Sequence, residues 1–337
     1  MKILVTGGAG YIGSHTILEI IRNTTWDIIS IDNYSNSTKK TFDRIKKITG
    51  KRLKNYNTDL CNLNKTKKVF SEHEDISAII HFAALKSVPE SVANPKKYIH
   101  NNITSLKNIL ECARTYSIRK IIFSSSCSVY GSISQLPVDE STPLQKALSP
   151  YGFTKQEGEK IIQSFSERNP TFSFIILRYF NPIGADLSGM NGDDPKKNPG
   201  SLVGDIINTA KGIDRSFIIH GNDYKTRDGT CIRDYVHISD IAKAHFLSLK
   251  KIFSVSKGNY CMIINLGTGK GISVLEAIRS FEKINRIKLN IKIGKRRKGD
   301  IPAIYSNTKR AKNILSWRPK YNISDMMKSI WIWETNR

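Results

Sequence analysis

Glycines at three-residue intervals, Gly7, Gly10 and Gly13, stand in the run Thr6-Gly7-Gly8-Ala9-Gly10-Tyr11-Ile12-Gly13, between a short apolar segment and a helical one. Glycine at that spacing lets the chain turn tightly and brings backbone N–H groups close to a pyrophosphate, beside the partial positive charge of a helix N-terminus. Alone, the run also fits a plain glycine-rich turn. It is not alone, because Asp32 ends the next apolar segment about 20 residues further on, the place of an acidic group that binds adenosine ribose hydroxyls and repels a 2′-phosphate. Glycines and acid together predict a dinucleotide site for NAD rather than NADP. Asp59, just past a third strand, reads as a partner for the adenine amine or as a helix cap.

The chain around this motif repeats the same alternation. Residues 2–6, 27–31, 53–56, 78–82, 120–124 and 172–178 read as strands, nearly continuous apolar runs suited to burial on both faces, and segments such as 12–23 and 95–116 are long enough for crossover helices. Such units demand an α/β fold, a Rossmann-type doubly wound parallel sheet with helices on both sides. Past residue 181 the pattern loosens, as in the Gly, Asn and Asp of the loop from Gly189 to Pro195, and then mixes short strands (217–219, 262–265, 289–293) with helices (239–249, 273–283, 324–333). The expected division is a cofactor-binding domain over 1–180 and a smaller mixed α/β domain, mainly 181–337, that binds the substrate. Segments near 233–265 are expected to return to the first domain.

Charge and composition exclude several function classes. The 53 Lys+Arg minus 29 Asp+Glu give +24, yet the lysines are scattered through nearly every segment, and the densest cluster, Lys295-Arg296-Arg297-Lys298, is four residues. Solvated lysine faces account for that better than a nucleic-acid surface. No run of about 18 apolar residues occurs, and no cleavage-site pattern follows Met1 to Thr6. The five cysteines are odd in number and without a Cys-x-x-Cys pair, which fits neither a disulfide framework nor a zinc knuckle. A soluble cytoplasmic chain with no metal, no membrane and no nucleic-acid partner is expected.

Tyr151 and Lys155 lie four apart in Ser149-Pro150-Tyr151-Gly152-Phe153-Thr154-Lys155, where Pro150 marks a helix start, so both side chains share one helix face. A lysine ammonium favours the phenolate, and lowering the tyrosine pKa toward the operating pH would make it a general base. The run Ser124-Ser125-Ser126-Cys127-Ser128 follows a buried strand at the carboxyl edge, where open α/β sheets bind ligands. A hydroxyl there would pass a proton between the phenol and a substrate hydroxyl.

These motifs, in this order, resemble the extended short-chain dehydrogenase/reductases, and within them the UDP-glucose 4-epimerase group. The resemblance spans essentially the whole chain: Val-Thr-Gly-Gly-Ala-Gly-Tyr-Ile-Gly-Ser-His at 5–15, His-Phe-Ala-Ala-Leu-Lys at 81–86, Phe-Ser-Ser-Ser-Cys-Ser-Val-Tyr-Gly at 123–131, Ser-Pro-Tyr-Gly-Phe-Thr-Lys at 149–155, Leu-Arg-Tyr-Phe-Asn-Pro-Ile-Gly-Ala at 177–185, Gly-Asn-Asp-Tyr at 221–224 and Arg-Asp-Tyr-Val-His at 233–237. It implies a tightly held NAD that is not consumed, a homodimer built on helices 95–116 and 151–168, and interconversion of UDP-galactose and UDP-glucose through a 4-keto sugar. Tyr151 is implied as the base at the sugar's 4-hydroxyl, Lys155 as the holder of phenolate and ribose, and Ser126 as the proton relay. Implied cofactor contacts are Gly7, Gly10, Tyr11, Ile12, Gly13, Asp32, Asn33, Asn36, Ser37, Asp59, Leu60, Phe82, Ala83, Ala84, Lys86, Asn101 and Phe180, besides the three catalytic residues. A cation such as Lys86 beside a buried pyrophosphate makes independent sense.

For the nucleotide-sugar the resemblance implies Asn181, Ser201, Leu202, Ile218, His220, Arg233, Arg297, Asp300 and Ile304, besides Ser126 and Tyr151, with the arginines' forked donors matched to phosphate. Three positions depart from the family's habit: Ser201-Leu202 replaces an Asn before an apolar residue, His220 replaces an aromatic, and Ile304 is intermediate where large tyrosine and small residues alternate. The last leaves acceptance of N-acetylhexosamines open, and the alternative reading is another NAD-dependent epimerase acting on a UDP-N-acetylhexosamine or a UDP-hexuronate. Related dehydratases and decarboxylases carry a carboxyl group directly after the relay residue, where this chain has Cys127-Ser128. A non-catalytic regulator that binds NAD or nucleic acid would have no use for the Tyr151–Lys155 pair.

Overall fold

Strand β1 (Lys2–Thr6) is buried from its second residue to its end, because it lies mid-sheet with helices on both faces. A computed structural model describes residues 1–194, 201–256, 258, 260–297 and 299–337. Pro195 of the expected loop and Lys298 of the basic cluster lie outside the described residues. Beside β1 run β2 (Asp27–Ile31) and β3 (Lys54–Tyr56) on one side, and β4 (Ile76–His81), β5 (Lys120–Ser126), β6 (Ser173–Tyr179) and the strand Tyr260–Leu266 on the other, all parallel. Chain order reverses between β1 and β4. Helices therefore leave the two strands in opposite directions and open a crevice at their carboxyl ends, the place where open α/β sheets bind ligands.

Each face carries its own core. On one, α1 (Tyr11–Asn23) lays Ile17, Leu18 and Ile20 against Ile241, Ala244 and Leu249 of the helix Ile238–Ser254 and against Ile3 and Val5 of β1. On the other, α3 (Leu63–Ser71), α5 (Pro95–Thr115) and α6 (Pro150–Arg168) bury Phe70, Leu106, Ile109 and Ile162 over Leu4, Ile79 and Ile121. Full burial of one such side chain stabilises by roughly 1.5–3 kcal/mol, and its removal costs more because a cavity remains.

One boundary and two added helices differ from expectation. β5 continues two residues beyond the expected end, because Ser124, Ser125 and Ser126 go on pairing with Leu177, Arg178 and Tyr179 of β6. Ser126 is therefore on the strand, not in a loop after it. Short helices at Val88–Ala93 (α4) and Leu202–Ala210 were not anticipated, the first capped by Ser87 and the second by Ser201.

Beyond β6 the chain builds a smaller layer. Asn181–Ile183 pairs with Tyr235–His237, Phe217–His220 pairs with Ile291–Gly294, and Ile232–Arg233 lies between Ile272–Ser273 and Ala303–Ile304. Its core gathers Ile206, Phe217, Phe281, Met326 and Met327. The helix Ile238–Ser254 and the strand Tyr260–Leu266 pack on the large sheet. Asp234, 0% exposed, joins the layers: its carboxylate accepts from Thr268, Gly269 and Ser306. Among the described residues no helix is long and apolar enough to cross a membrane, and all five cysteines are free.

Candidate active site

A cavity of about 220 Å³ lies in the crevice. Gly7 adopts φ +70, and a Cβ there would stand 2.9 Å from the backbone N of Ala83, while a Cβ on Gly13 would come within 2.3 Å of the Gly7 carbonyl oxygen. Any side chain at either position would fill the turn. Helix α1 begins at Gly10 with no side-chain cap and no acid in its first turn, so its first N–H groups stay available to an anion on the cavity wall.

Asp32 sits at the end of β2 and is 8% exposed. Its carboxylate accepts from the Ala9 N–H at 2.9 Å, the Tyr34 N–H at 2.9 Å and the Ser37 hydroxyl at 2.7 Å. It thus serves the turn and still faces the cavity. Asp59 accepts from the Cys61 N–H at 2.9 Å, and Asn62, not Asp59, caps α3. Lys86, half-exposed at the rim, stands 3.8 Å from Asp193 and over the Tyr11 ring.

The structure brings together on this one wall Gly7, Gly10, Tyr11, Ile12, Gly13, Asp32, Asn33, Asn36, Ser37, Asp59, Leu60, Phe82, Ala83, Ala84, Lys86, Asn101, Tyr151 and Lys155. Phe180 is not on it; it is buried in an apolar cluster with Val129, Tyr130, Val138 and Ile304. The glycine turn, the uncapped helix end and Asp32 form a cradle whose donors and acceptor suit a dinucleotide.

Tyr151 and Lys155 enter from the first turns of α6, which starts at Pro150 with the Ser149 hydroxyl accepting from the Gly152 N–H. The Lys155 ammonium donates to the Ser124 carbonyl at 2.6 Å and stands 6.0 Å from the centre of the Tyr151 ring. Burial pushes the ammonium down to about 8, against the pull of Glu159. The Tyr151 phenol moves opposite to expectation: burial pushes it up to about 12, and a hydrogen bond with Ser126 only partly opposes this. Desolvation of the phenolate is the largest cause. Ser126 is off the cavity wall, yet it acts on the Tyr151 phenol by lowering its pKa, and its Oγ accepts from the Ser128 N–H at 3.2 Å.

The residues expected to hold the substrate gather in small groups beyond the sheet edge. Arg233 donates to the Ile301 carbonyl at 2.8 Å and lies 3.4 Å from Asp300, while Ile304 pairs with it across the strands. Asn181 directly follows the buried Phe180, and its N–H donates to the Asp234 carbonyl. Arg297 stands 3.6 Å from Asp205 in the helix that Ser201 caps, and His220 lies 3.3 Å from the Lys295 carbonyl. Leu202 packs on the smaller core and Ile218 is exposed. Ile304 is 4% exposed, so it stands in a packed core and not on an open wall.

Sequence reasoning missed Ser124, Tyr179 and Asp193, all on the cavity wall. Ser124 and Tyr179 lie inside motifs already noted, beside Ser126 and Phe180, and the Tyr179 hydroxyl is 2.5 Å from His245 Nε2. Asp193 comes from a distant loop and has no local signal.

Comparisons with known proteins agree with this geometry. The family model described as the NAD dependent epimerase/dehydratase family matches residues 3–267. A UDP-glucose 4-epimerase of Bacillus subtilis (strain 168) is 42% identical over 336 residues, covering 100% of this chain and 97% of that one. The solved UDP-glucose 4-epimerase from Bifidobacterium longum in complex with NAD+ and UDP is 40% identical and superposes with a TM-score of 0.94 over 100% of this chain and 99% of its own. The UDP-Glc/GlcNAc 4-epimerase from Campylobacter jejuni is 34% identical, with a TM-score of 0.85 over 100% and 99%.

Proposed function

Because the chain belongs to the NAD dependent epimerase/dehydratase family, as an NAD-dependent UDP-sugar 4-epimerase, we propose how its own residues interconvert UDP-galactose and UDP-glucose. One observation carries the reading: Tyr151 and Lys155 open onto the same cavity as the glycine turn and Asp32. Glycine-turn N–H groups and Lys86 would hold the pyrophosphate, Asp32 the adenosine ribose, and Lys155 the nicotinamide ribose. When bound, the nicotinamide would supply a reversible acceptor for the C4 hydride.

Tyr151 takes the proton of the sugar's 4-hydroxyl, passed along Ser126, as C4 is oxidised to the ketone. A phenol at about 12 is a reluctant base, so the reaction draws on positive charge at the site, of which Lys155 is the chain's own contribution. Arg233 and Arg297 anchor the UDP phosphates while the flat 4-keto sugar turns over. Tyr151 then returns the proton as C4 is reduced on its other face. In the division we propose, the large sheet binds NAD and the smaller layer the UDP-sugar.

Three finer features complete the reading. The chain acts as a homodimer in galactose metabolism, and its five free cysteines support a cytoplasmic site. UDP-galactose incubated with the purified protein without added cofactor should yield UDP-glucose, with about one NAD per chain released on denaturation. Bound NAD without conversion would move the search to other nucleotide-sugars.

A further inference from the structure

The Glu159 carboxylate sits one helical turn beyond Lys155, on the same face of α6. It accepts from the Ser125 hydroxyl at 2.5 Å, from Arg178 Nε at 2.9 Å and from Arg178 Nη2 at 2.7 Å. Glu159 and Arg178 are each 3% exposed at the side chain. Arg178 Nη1 donates to the Tyr130 hydroxyl at 3.1 Å, which donates to Asn265 Oδ1 at 2.7 Å. The network therefore ties α6 to β5, to β6 and to the edge strand Tyr260–Leu266.

A buried ion pair is a poor way to gain stability, because desolvation offsets its attraction and apolar replacements do as well. Its place in the fold suggests another use. Ser125 precedes Ser126 on β5, and Ser124 supplies the carbonyl that holds the Lys155 ammonium. We propose that Glu159 is a positioning residue of the epimerisation: through Ser125 it sets Ser126 and Lys155 against Tyr151, and it places a carboxylate one helical turn from the Lys155 ammonium. This rests on the roles given above to Tyr151, Lys155 and Ser126.

The charges around the pair support it. His81 of β4, which faces Lys155, is pushed down to about 3 by burial and is neutral, and Cys261 of the edge strand, which faces Glu159, is pushed up to about 11 by burial. Burial pushes the Tyr151 phenol up to about 12. Arg178 pairs with the Glu159 carboxylate, and the acidic group acting on Lys155 is Glu159.

Two variants test the role. Glu159→Gln removes the charge but keeps an acceptor for Ser125; the double variant Glu159→Leu/Arg178→Met removes both charges at similar volume and leaves none uncompensated, so it folds. Both should keep NAD on denaturation assay, with KM for UDP-galactose little changed. In Glu159→Gln the alkaline limb of kcat should move down by about one pH unit, the effect of losing one neighbouring opposite charge, and in the double variant, which also loses the Arg178 cation, by less. A folded, NAD-loaded Glu159→Gln whose alkaline limb stays with the wild type would overturn the proposal. Lys155→Met separates the two levels: if it abolishes turnover while the Glu159 limbs are unmoved, only the Glu159 role fails, whereas retained turnover in Lys155→Met rejects the lysine assignment beneath it.

Discussion

Replacing Tyr151 by Phe removes one hydroxyl from a buried ring and leaves the cavity wall in place. Bound NAD and UDP affinity should be retained, while turnover falls at least ~10²-fold, the scale of a lost general base; near-wild-type turnover would remove Tyr151 from its role. Ile304 makes a second test at this scale. It is packed among Val129, Tyr130, Val138 and Phe180, so Ile304→Gly should lower stability by several kcal/mol, roughly 2–5 by analogy with other large-to-small core changes. If Ile304 also limits the sugar's size, activity toward a UDP-N-acetylhexosamine should rise relative to UDP-galactose. A stability loss with an unchanged ratio would make it a core residue only.

Among the elements, the loop that follows the strand Asn181–Ile183 is tied to α1 by a two-pronged ion pair. Arg22 donates to both oxygens of Asp186, at 2.6 and 2.9 Å. Burial pushes the Asp186 carboxyl up, but the bonds from Arg22 and Ser188 outweigh it and hold the group at about 2. Its folded pKa lies below the unfolded one, so its contribution, roughly 2 kcal/mol, is present above about pH 4 and is lost as pH falls toward 2. Thermal melts between pH 5 and pH 2.5 should show that loss, and Asp186→Asn should flatten it. An equal acid decline in wild type and variant would assign the loss to other carboxylates.

At the scale of the whole molecule, helices α4, α5 and α6 pack on one another and leave Val92, Ile99 and Phe153 exposed, Val92 at 63%. Apolar residues left out on one helical layer are what a helix-to-helix contact between two copies would cover. Sedimentation at micromolar concentration should give twice the 38.1 kDa chain mass, and Val92→Lys with Phe153→Glu should shift it to one chain. A wild-type protein that sediments only as a single chain would sink the homodimer.

Local spacing was enough for much of this. Gly7, Gly10 and Gly13 with Asp32, the Tyr151–Lys155 interval and the apolar runs are governed by backbone sterics, helical period and burial on two faces, all written in neighbouring residues. Other features needed the folded chain. Ser126 falls on a strand because β6 goes on pairing with β5. Tyr151 rises in pKa because burial removes its water, and Asp193 meets the site from a loop that spacing does not connect to it. Conformational preference is set by near neighbours; desolvation and charge are set by whatever the fold brings close, and that is why only the tertiary structure decided them.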